Sequence, residues 1–455
     1  MLNIRFCGAA GMVTGSSYFL YDTDTKKGIL IDLGMFQGAE WISDHNWDDL
    51  KVDPRDILGV LLTHAHLDHC GRLPLLSKAG YKQKIYMTEP TKDLIQIVLM
   101  DTVKIAEHDR GHREHPAMYG EADVYNTLAL ETIVEYDETF EIGPFKIVYR
   151  DAGHIMGSAS IEVSTHGHSG QPLKIAFSGD LGNSPQDLMR PTEQISTADV
   201  VLMESTYGGR SHDDEEPTVI FAREIQEVEK TGGALLIPSF SLERTQEILH
   251  IIDHLKRDGK VAPQTAVYLD SPMAIAATNV YKKYAHYFNK EIQEHMKTDD
   301  PFGFEGLRLV EKHADSIKIA RHDGPKVIIA GSGMMNGGRI LQHATHFLPL
   351  PTTRLLFVGY QGEETIGRYI SEGATEVTLQ GIRVPIRAST TQMHSMSAHA
   401  DHKGLMKWIQ NIHGAKKIFL THGDEQPRRD LQIALKEGYP GASVHIPNLY
   451  EDIAL

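Results

Sequence analysis

Four potential metal ligands, His64, His66, Asp68 and His69, fall within the stretch Thr63-His64-Ala65-His66-Leu67-Asp68-His69. No single tetrahedral ion can take all four from so tight a loop. His64 and His66 would face one way and Asp68 and His69 another, so two neighbouring metal ions are expected. Imidazole and carboxylate suit zinc, which accepts four or five ligands, and two zinc ions are therefore the expected cofactors. The competing reading is a polar surface loop in a chain that holds 25 histidines. The loop follows directly on the apolar run Gly59-Val60-Leu61-Leu62, and such packing at a strand end is what a metal site needs.

Other ligand-type residues stand at similar places. Strand-like runs end at Asp32 (after Ile29-Leu30-Ile31), at His154 (in Asp151-Ala152-Gly153-His154) and at Asp180 (in Ser178-Gly179-Asp180). Asp32 reads either as a turn acid or as a carboxylate behind the ligands that orients a histidine. Singly, His154 and Asp180 say little. The repeated pattern of strand, glycine and ligand lets such residues converge on one edge of a sandwich. Cys70 follows His69 and could be a ligand or a small buried packing residue.

The elements that must carry these residues change character along the chain. Strands are expected at 4–7, 17–21, 28–31, 60–63, 84–87, 133–136, 145–150 and 173–177, with an amphipathic helix over 91–107. From the strand 200–203, which ends at Glu204, strands and helices alternate. Strands at 234–237, 266–269, 326–330 and 354–358 and helices at 217–230, 243–257 and 338–347 predict βαβ units and a parallel sheet. The loops of this stretch hold Arg244, Ser332, Gly333, Asn336 and Arg339, candidate contacts to substrate phosphates. Capping and surface solvation explain them equally well. Near His399 the first pattern returns, with a helix over 403–411 and a strand 417–420 running into His422. The expected domains are 1–207 and 397–455 forming one metal-binding unit, with 208–396 as an α/β insert.

Composition sets outer limits. A chain of 455 residues is too long for one ordinary core, and 41% apolar with 23% charged residues is globular. No apolar run is long enough to span a bilayer, and the start reads as a strand rather than a signal peptide, so a cytoplasmic protein with no membrane association is expected. Two cysteines, Cys7 and Cys70, give no disulfide framework. A formal net charge of −16 argues mildly against indiscriminate nucleic-acid binding, although site carboxylates contribute to it and bound metals would invert the local field.

With these motifs assembled, the chain resembles the metallo-β-lactamase superfamily and, within it, the β-CASP ribonucleases, over essentially its whole length. Asp32, the 64–69 loop, His154 and Asp180 resemble the superfamily motifs, and Glu204, His399 and His422 the β-CASP motifs. Ser205-Thr206-Tyr207-Gly208, Leu269-Asp270-Ser271-Pro272-Met273-Ala274 and Gly331-Ser332-Gly333-Met334 match the group as well. The resemblance implies an αββα sandwich with an inserted β-CASP α/β domain, in a short form without an RNA-binding or C-terminal extension. Met12 and Gly331 depart from the usual residues at their positions.

The resemblance also implies roles. His64, His66 and His154 would hold one zinc, Asp68, His69 and His422 the other, and Asp180 would bridge them. A hydroxide between the metals would be the nucleophile, and Asp68 counts with the catalytic residues. Glu204 would hydrogen-bond His399, the general acid rather than a ligand. The implied reaction is hydrolysis of single-stranded RNA to 5′-phosphate and 3′-hydroxyl ends, and a homo-oligomer is compatible with the sequence. The alternatives are a hydrolase of small esters or cyclic phosphodiesters, which the α/β insert weighs against, and a non-catalytic β-CASP scaffold, which the intact motifs weigh against.

Overall fold

The computed structural model of the chain describes residues 1–108, 115–167, 170–183, 188–212, 215–359, 361–362, 364–393 and 395–455. These form two compact units, one of Met1–Ser211 with His399–Leu455 and one of His212–Ala398.

Among the described residues, the first unit is built on two seven-stranded sheets. One sheet runs in the order Asp452–Ala454, Leu2–Gly8, Ser17–Asp22, Gly28–Ile31, Ile57–Leu61, Ile85–Met87, Glu131–Ile133. The other runs Ser443–His445, Lys417–Thr421, Val200–Glu204, Pro172–Phe177, Ala159–His166, Phe145–Asp151, Thr139–Ile142. The inner faces pack together through Phe6, Tyr18, Ile31, Leu61, Phe145, Tyr149, Ile161, Phe177, Leu202 and Phe419. Full burial of side chains of this size contributes roughly 1.5–3 kcal/mol each, which makes this layer the main stabiliser of the unit. The outer face of the second sheet is covered by the helices His402–Gln410 and Glu425–Gly438, through Trp408, Leu405, Leu431 and Leu435. Helix Glu89–His108 contacts the edge strand Glu131–Ile133 of the first sheet.

Topology explains why ligands gather at one edge. Gly28–Ile31 and Ile57–Leu61 are parallel neighbours, so Asp32 and the 63–69 loop leave the sheet on the same side. In the second sheet Val200–Glu204 is parallel to both Pro172–Phe177 and Lys417–Thr421, so Asp180, Glu204 and His422 also emerge together. The strand expected at 60–63 stops at Leu61, because the Asp32 side chain rather than a neighbouring strand takes the Thr63 amide.

The second unit has a six-stranded sheet, all of its pairs parallel, in the order Leu307–Leu309, Ala266–Leu269, Lys326–Ala330, Ala234–Pro238, Arg354–Phe357, Ser389–Gln392. Its helices include Pro217–Thr231, which Gly232 ends in the left-handed conformation (φ 68°), and Arg244–Arg257. A small antiparallel hairpin, Glu376–Leu379 with Ile382–Pro385, adds to it.

Two glycines allow the ligand loops of the first unit to touch. A Cβ on Gly34 would lie 1.6 Å from the Asp68 carbonyl oxygen, and one on Gly182 would lie 1.8 Å from that of Gly153. Nothing but backbone could yield at either place. Gly34→Ala and Gly182→Ala are each expected to destabilise the first unit by roughly 1–3 kcal/mol or more, as overpacking of a rigid contact does. Urea unfolding with and without added metal measures this. An unchanged midpoint for both variants would mean that the loops can separate without loss.

Candidate metal centre

The site begins with Asp32, which takes the left-handed backbone conformation (φ 57°) that non-glycine residues adopt at a cost of about 1–3 kcal/mol. In exchange its buried carboxylate accepts the Thr63 amide (2.8 Å), the Thr63 hydroxyl (2.8 Å) and His69 Nδ1–H (2.7 Å). That fixes the His69 tautomer and leaves Nε2 as a lone-pair nitrogen facing inward. His64 Nδ1 is likewise held by the Thr63 hydroxyl at 3.0 Å, which leaves its Nε2 facing inward as well.

His64 Nε2 and His154 Nε2 each lie 3.1 Å from His66 Nδ1, and each lies 3.5 Å from Asp180 Oδ2. Ligands around one tetrahedral zinc, at metal–ligand distances near 2.0 Å, stand about 3.3 Å apart. The second group uses the other oxygen of the same carboxylate. Asp180 Oδ1 lies 3.3 Å from His69 Nε2 and 3.7 Å from His422 Nε2, and His422 Nε2 lies 3.2 Å from Asp68 Oδ2. His69 Nε2 and Asp180 Oδ1 are buried with no hydrogen-bond partner among the described residues. Leaving two such atoms unpaired is costly, and a shared cation would satisfy both. The donor set therefore fits metal: His64, His66, His154 and Asp180 on one side, Asp68, His69 and His422 on the other.

His422 also has a left-handed backbone (φ 49°), held by its amide donating to Ala9 (2.8 Å) and its carbonyl accepting from Ser205 (3.0 Å). The Thr206 hydroxyl lies 3.1 Å from His422 Nδ1 and donates to the His422 carbonyl at 3.3 Å, so the ring donates to the hydroxyl and keeps Nε2 for the site. Thr63 and Thr206, which orient the ligand histidines, were not singled out by sequence. Their position next to a ligand or an acid was the available signal.

Electrostatics point the same way. Burial pushes His66 down to about 4, and pushes His64 down as well, so both are neutral and able to coordinate. Burial opposes protonation of His69 and His422 too, but the Asp180 carboxylate overrides it and raises both. This is a field that attracts cations.

His399 stands at the edge of both groups and makes a further cluster of potential ligands with Asp180 and His422. Its Nδ1 donates to Glu204 Oε1 at 3.1 Å and lies 3.9 Å from Asp180 Oδ2. Glu204 is buried and held by the amides of Leu181 (2.7 Å) and Thr206 (3.3 Å). Cys70 has no part in the site, since its thiol donates to the Ala65 carbonyl at 3.4 Å and burial raises it well above the usual range.

The candidate phosphate contacts all lie in the second unit, and two of them need correction. Arg244 is buried and ion-paired with Glu247, as a buried guanidinium must be. Arg339 is occupied by Asp270 (2.6 Å) and the carbonyls of Val310 (2.9 Å) and Glu311 (2.5 Å). Gly333 is buried, and a Cβ there would strike the Phe240 ring at 2.7 Å, so packing accounts for it. The Ser332 hydroxyl donates to Gly337 (3.3 Å), and Asn336 is exposed, accepting from the Ile366 amide (3.3 Å).

A two-sheet sandwich flanked by helices, with a cage of histidines and aspartates at its strand ends, defines a metal-dependent hydrolase. Residues 11–198 match the profile of the metallo-β-lactamase superfamily, 245–370 the β-CASP domain, and 383–447 the Zn-dependent metallo-hydrolase RNA specificity domain. The chain is 39% identical to Ribonuclease TTHA0252 of Thermus thermophilus over 92% of each chain. It is 32% identical to an RNase J-like protein of Methanocaldococcus jannaschii over 93% of each. Against a transcription termination factor, FttA, of the same organism it is 31% identical over 93% of this chain and 67% of that one. A crystal structure of a protein of unknown function from Enterococcus faecalis V583 matches 100% of both chains with a TM-score of 0.56 at 12% identity, a likeness of fold alone. The chain belongs to the metallo-β-lactamase superfamily and to its β-CASP branch.

The two oxygens of Asp180 face different ligand groups, so Asp180→Ala is expected to lower metal content in both, whereas His422→Ala should lower it in one. Elemental analysis of protein purified without chelator measures this. Equal losses for the two variants would contradict the assignment of separate groups.

Proposed function

We propose that this chain is a zinc-dependent ribonuclease that hydrolyses phosphodiester bonds of single-stranded RNA, in the cytoplasm, leaving 5′-phosphate and 3′-hydroxyl ends. The observation that carries the reading is the Asp180 carboxylate turned to two ligand groups at once, the arrangement a two-metal phosphodiesterase requires. The similarity to Ribonuclease TTHA0252, along nearly the full length of both chains, supports RNA as the substrate. His64, His66 and His154 would hold one zinc and Asp68, His69 and His422 the other, with Asp180 shared. Bound there, the ions would neutralise phosphate oxygens and lower the pKa of water.

The chain's own residues supply the rest. Asp32, Thr63 and Thr206 orient ligand rings through Nδ1. Glu204 orients His399 through Nδ1 and leaves Nε2 to carry a second proton. Burial disfavours the charged ring, but the negative charges of Glu204 and Asp180 and the Glu204 hydrogen bond raise His399 to about 9, the direction a general acid needs. The departing 3′-oxygen is strongly basic, and a protonated imidazole beside it would complete the cleavage. Ser332 and Asn336 remain candidates for phosphate contact; with no ion pair to release, they could do so without disrupting the second unit.

General acid catalysis is worth roughly 10²–10⁴-fold, so His399→Ala should slow RNA hydrolysis by about that range. Hydrolysis of bis(p-nitrophenyl) phosphate should suffer far less, because nitrophenolate departs unprotonated, and metal content should stay at the parent level. Glu204→Gln should show a milder form of the same selectivity. Loss of metal, or equal slowing of both substrates, would make His399 a ligand instead. End-labelled RNA tests the reaction itself: metal-dependent products with 5′-phosphates are expected, and an intact RNA alongside rapid turnover of small esters would overturn the reading.

A further inference from the structure

A second histidine cluster lies in the second unit, in a region the catalytic reading does not use. His250 and His254 are four residues apart on one face of helix Arg244–Arg257, and His295 ends helix Lys290–His295. One ring nitrogen of each lies within 4.8 Å of those of the others. The ring centroids are 4.2, 5.9 and 5.9 Å apart. In the site at Asp180, the rings of His64, His66 and His154 are separated by 4.9–5.0 Å. The two triads thus have similar spread.

A second observation points to a ligand. His250 is 4% exposed, and its buried Nδ1 has no hydrogen-bond partner among the described residues. The ring is hydrogen-bonded to the Pro301 carbonyl, which can only accept, so the proton belongs on Nε2 and Nδ1 holds a lone pair.

Two carboxylates and a guanidinium border the cluster. Asp253 is buried with Arg257 at 3.1 Å, and Asp299 lies 4.0 Å from His295 Nε2. Asp300 is matched by Lys282 at 2.5 Å. The Arg257 guanidinium is thus taken by Asp253. That guanidinium also donates to His295 Nε2 at 3.1 Å, putting a positive charge on the lone pair a metal would take. Arg257 itself is exposed.

We propose that His250, His254 and His295 form a separate zinc site that staples helix Lys290–His295 to helix Arg244–Arg257. Its ligands come from two helices of the second unit, so its role is structural: it stabilises that unit and takes no part in hydrolysis.

The test uses the full chain, zinc alone as probe, and the difference between parent and variant, so it does not depend on how full the site at Asp180 is. After equilibration with a modest excess of zinc and gel filtration, His254→Ala and His295→Gln should each hold one equivalent less than the parent. Both should hydrolyse RNA at the parent rate, and zinc should raise their melting temperature less. Arg257→Ala should bind that equivalent about tenfold more tightly, because a neighbouring positive charge is gone, a gain that loss of a merely structural contact would not give. Circular dichroism identifies any variant that has not folded, and the remaining two then decide. Zinc content equal to the parent in the folded histidine variants, or no tightening in Arg257→Ala, would overturn the site.

Discussion

The site at the strand ends depends on the buried carboxylate of Asp180. Its oxygens point at different histidines, Oδ2 toward His64 and His154 and Oδ1 toward His69 and His422. A carboxylate can be kept this dry only if cations or hydrogen-bond donors surround it. The chain answers with imidazoles, five of them within 4 Å, and orients several of them from behind with groups that are not ligands. Asp32, Thr63 and Thr206 each take an outward nitrogen so that the inward one is left with a lone pair. Remove that outer layer and the same histidines could present either tautomer.

Backbone geometry is subordinate to the same demand. Asp32 and His422 both sit in the left-handed region, where the neighbouring structure must hold them, and they are placed at the ends of strands that are themselves parallel to strands leading to other site residues. Gly34 and Gly182 let two ligand loops approach to backbone contact. The core between the sheets, by contrast, is ordinary aliphatic and aromatic packing. In the second unit the buried Asp270 is satisfied within the protein itself, by His343, Ser316 and Arg339.

That contrast explains which substrate-contact expectations survive. An arginine near a loop in sequence looks free to meet phosphate. In the fold, Arg244 and Arg339 are the counter-charges that Glu247 and Asp270 require. Ser332 and Asn336 carry no such obligation.

The sequence by itself marked the candidate ligands, a change of pattern between two stretches of chain and the strands of strong apolar character. The 64–69 loop needs four ligands close together, and close spacing is visible in a linear string. The parallel sheet of the second unit was legible because buried strands such as Lys326–Ala330 are continuous apolar runs between amphipathic helices. Strand Ala159–His166 was not, although it is central to its sheet: Ser160, Glu162 and Ser164 dilute its pattern, and Glu162 is buried only because Arg150 and Lys174 on the flanking strands pair with it. Nor was the edge pairing of Asp452–Ala454 with Leu2–Gly8, which joins the two ends of the chain. Only the tertiary structure decided which oxygen of Asp180 meets which histidine, which arginines were already spent, and that His295 comes beside His250 and His254. These are matters of distance between residues far apart in the chain, and local periodicity carries no record of them.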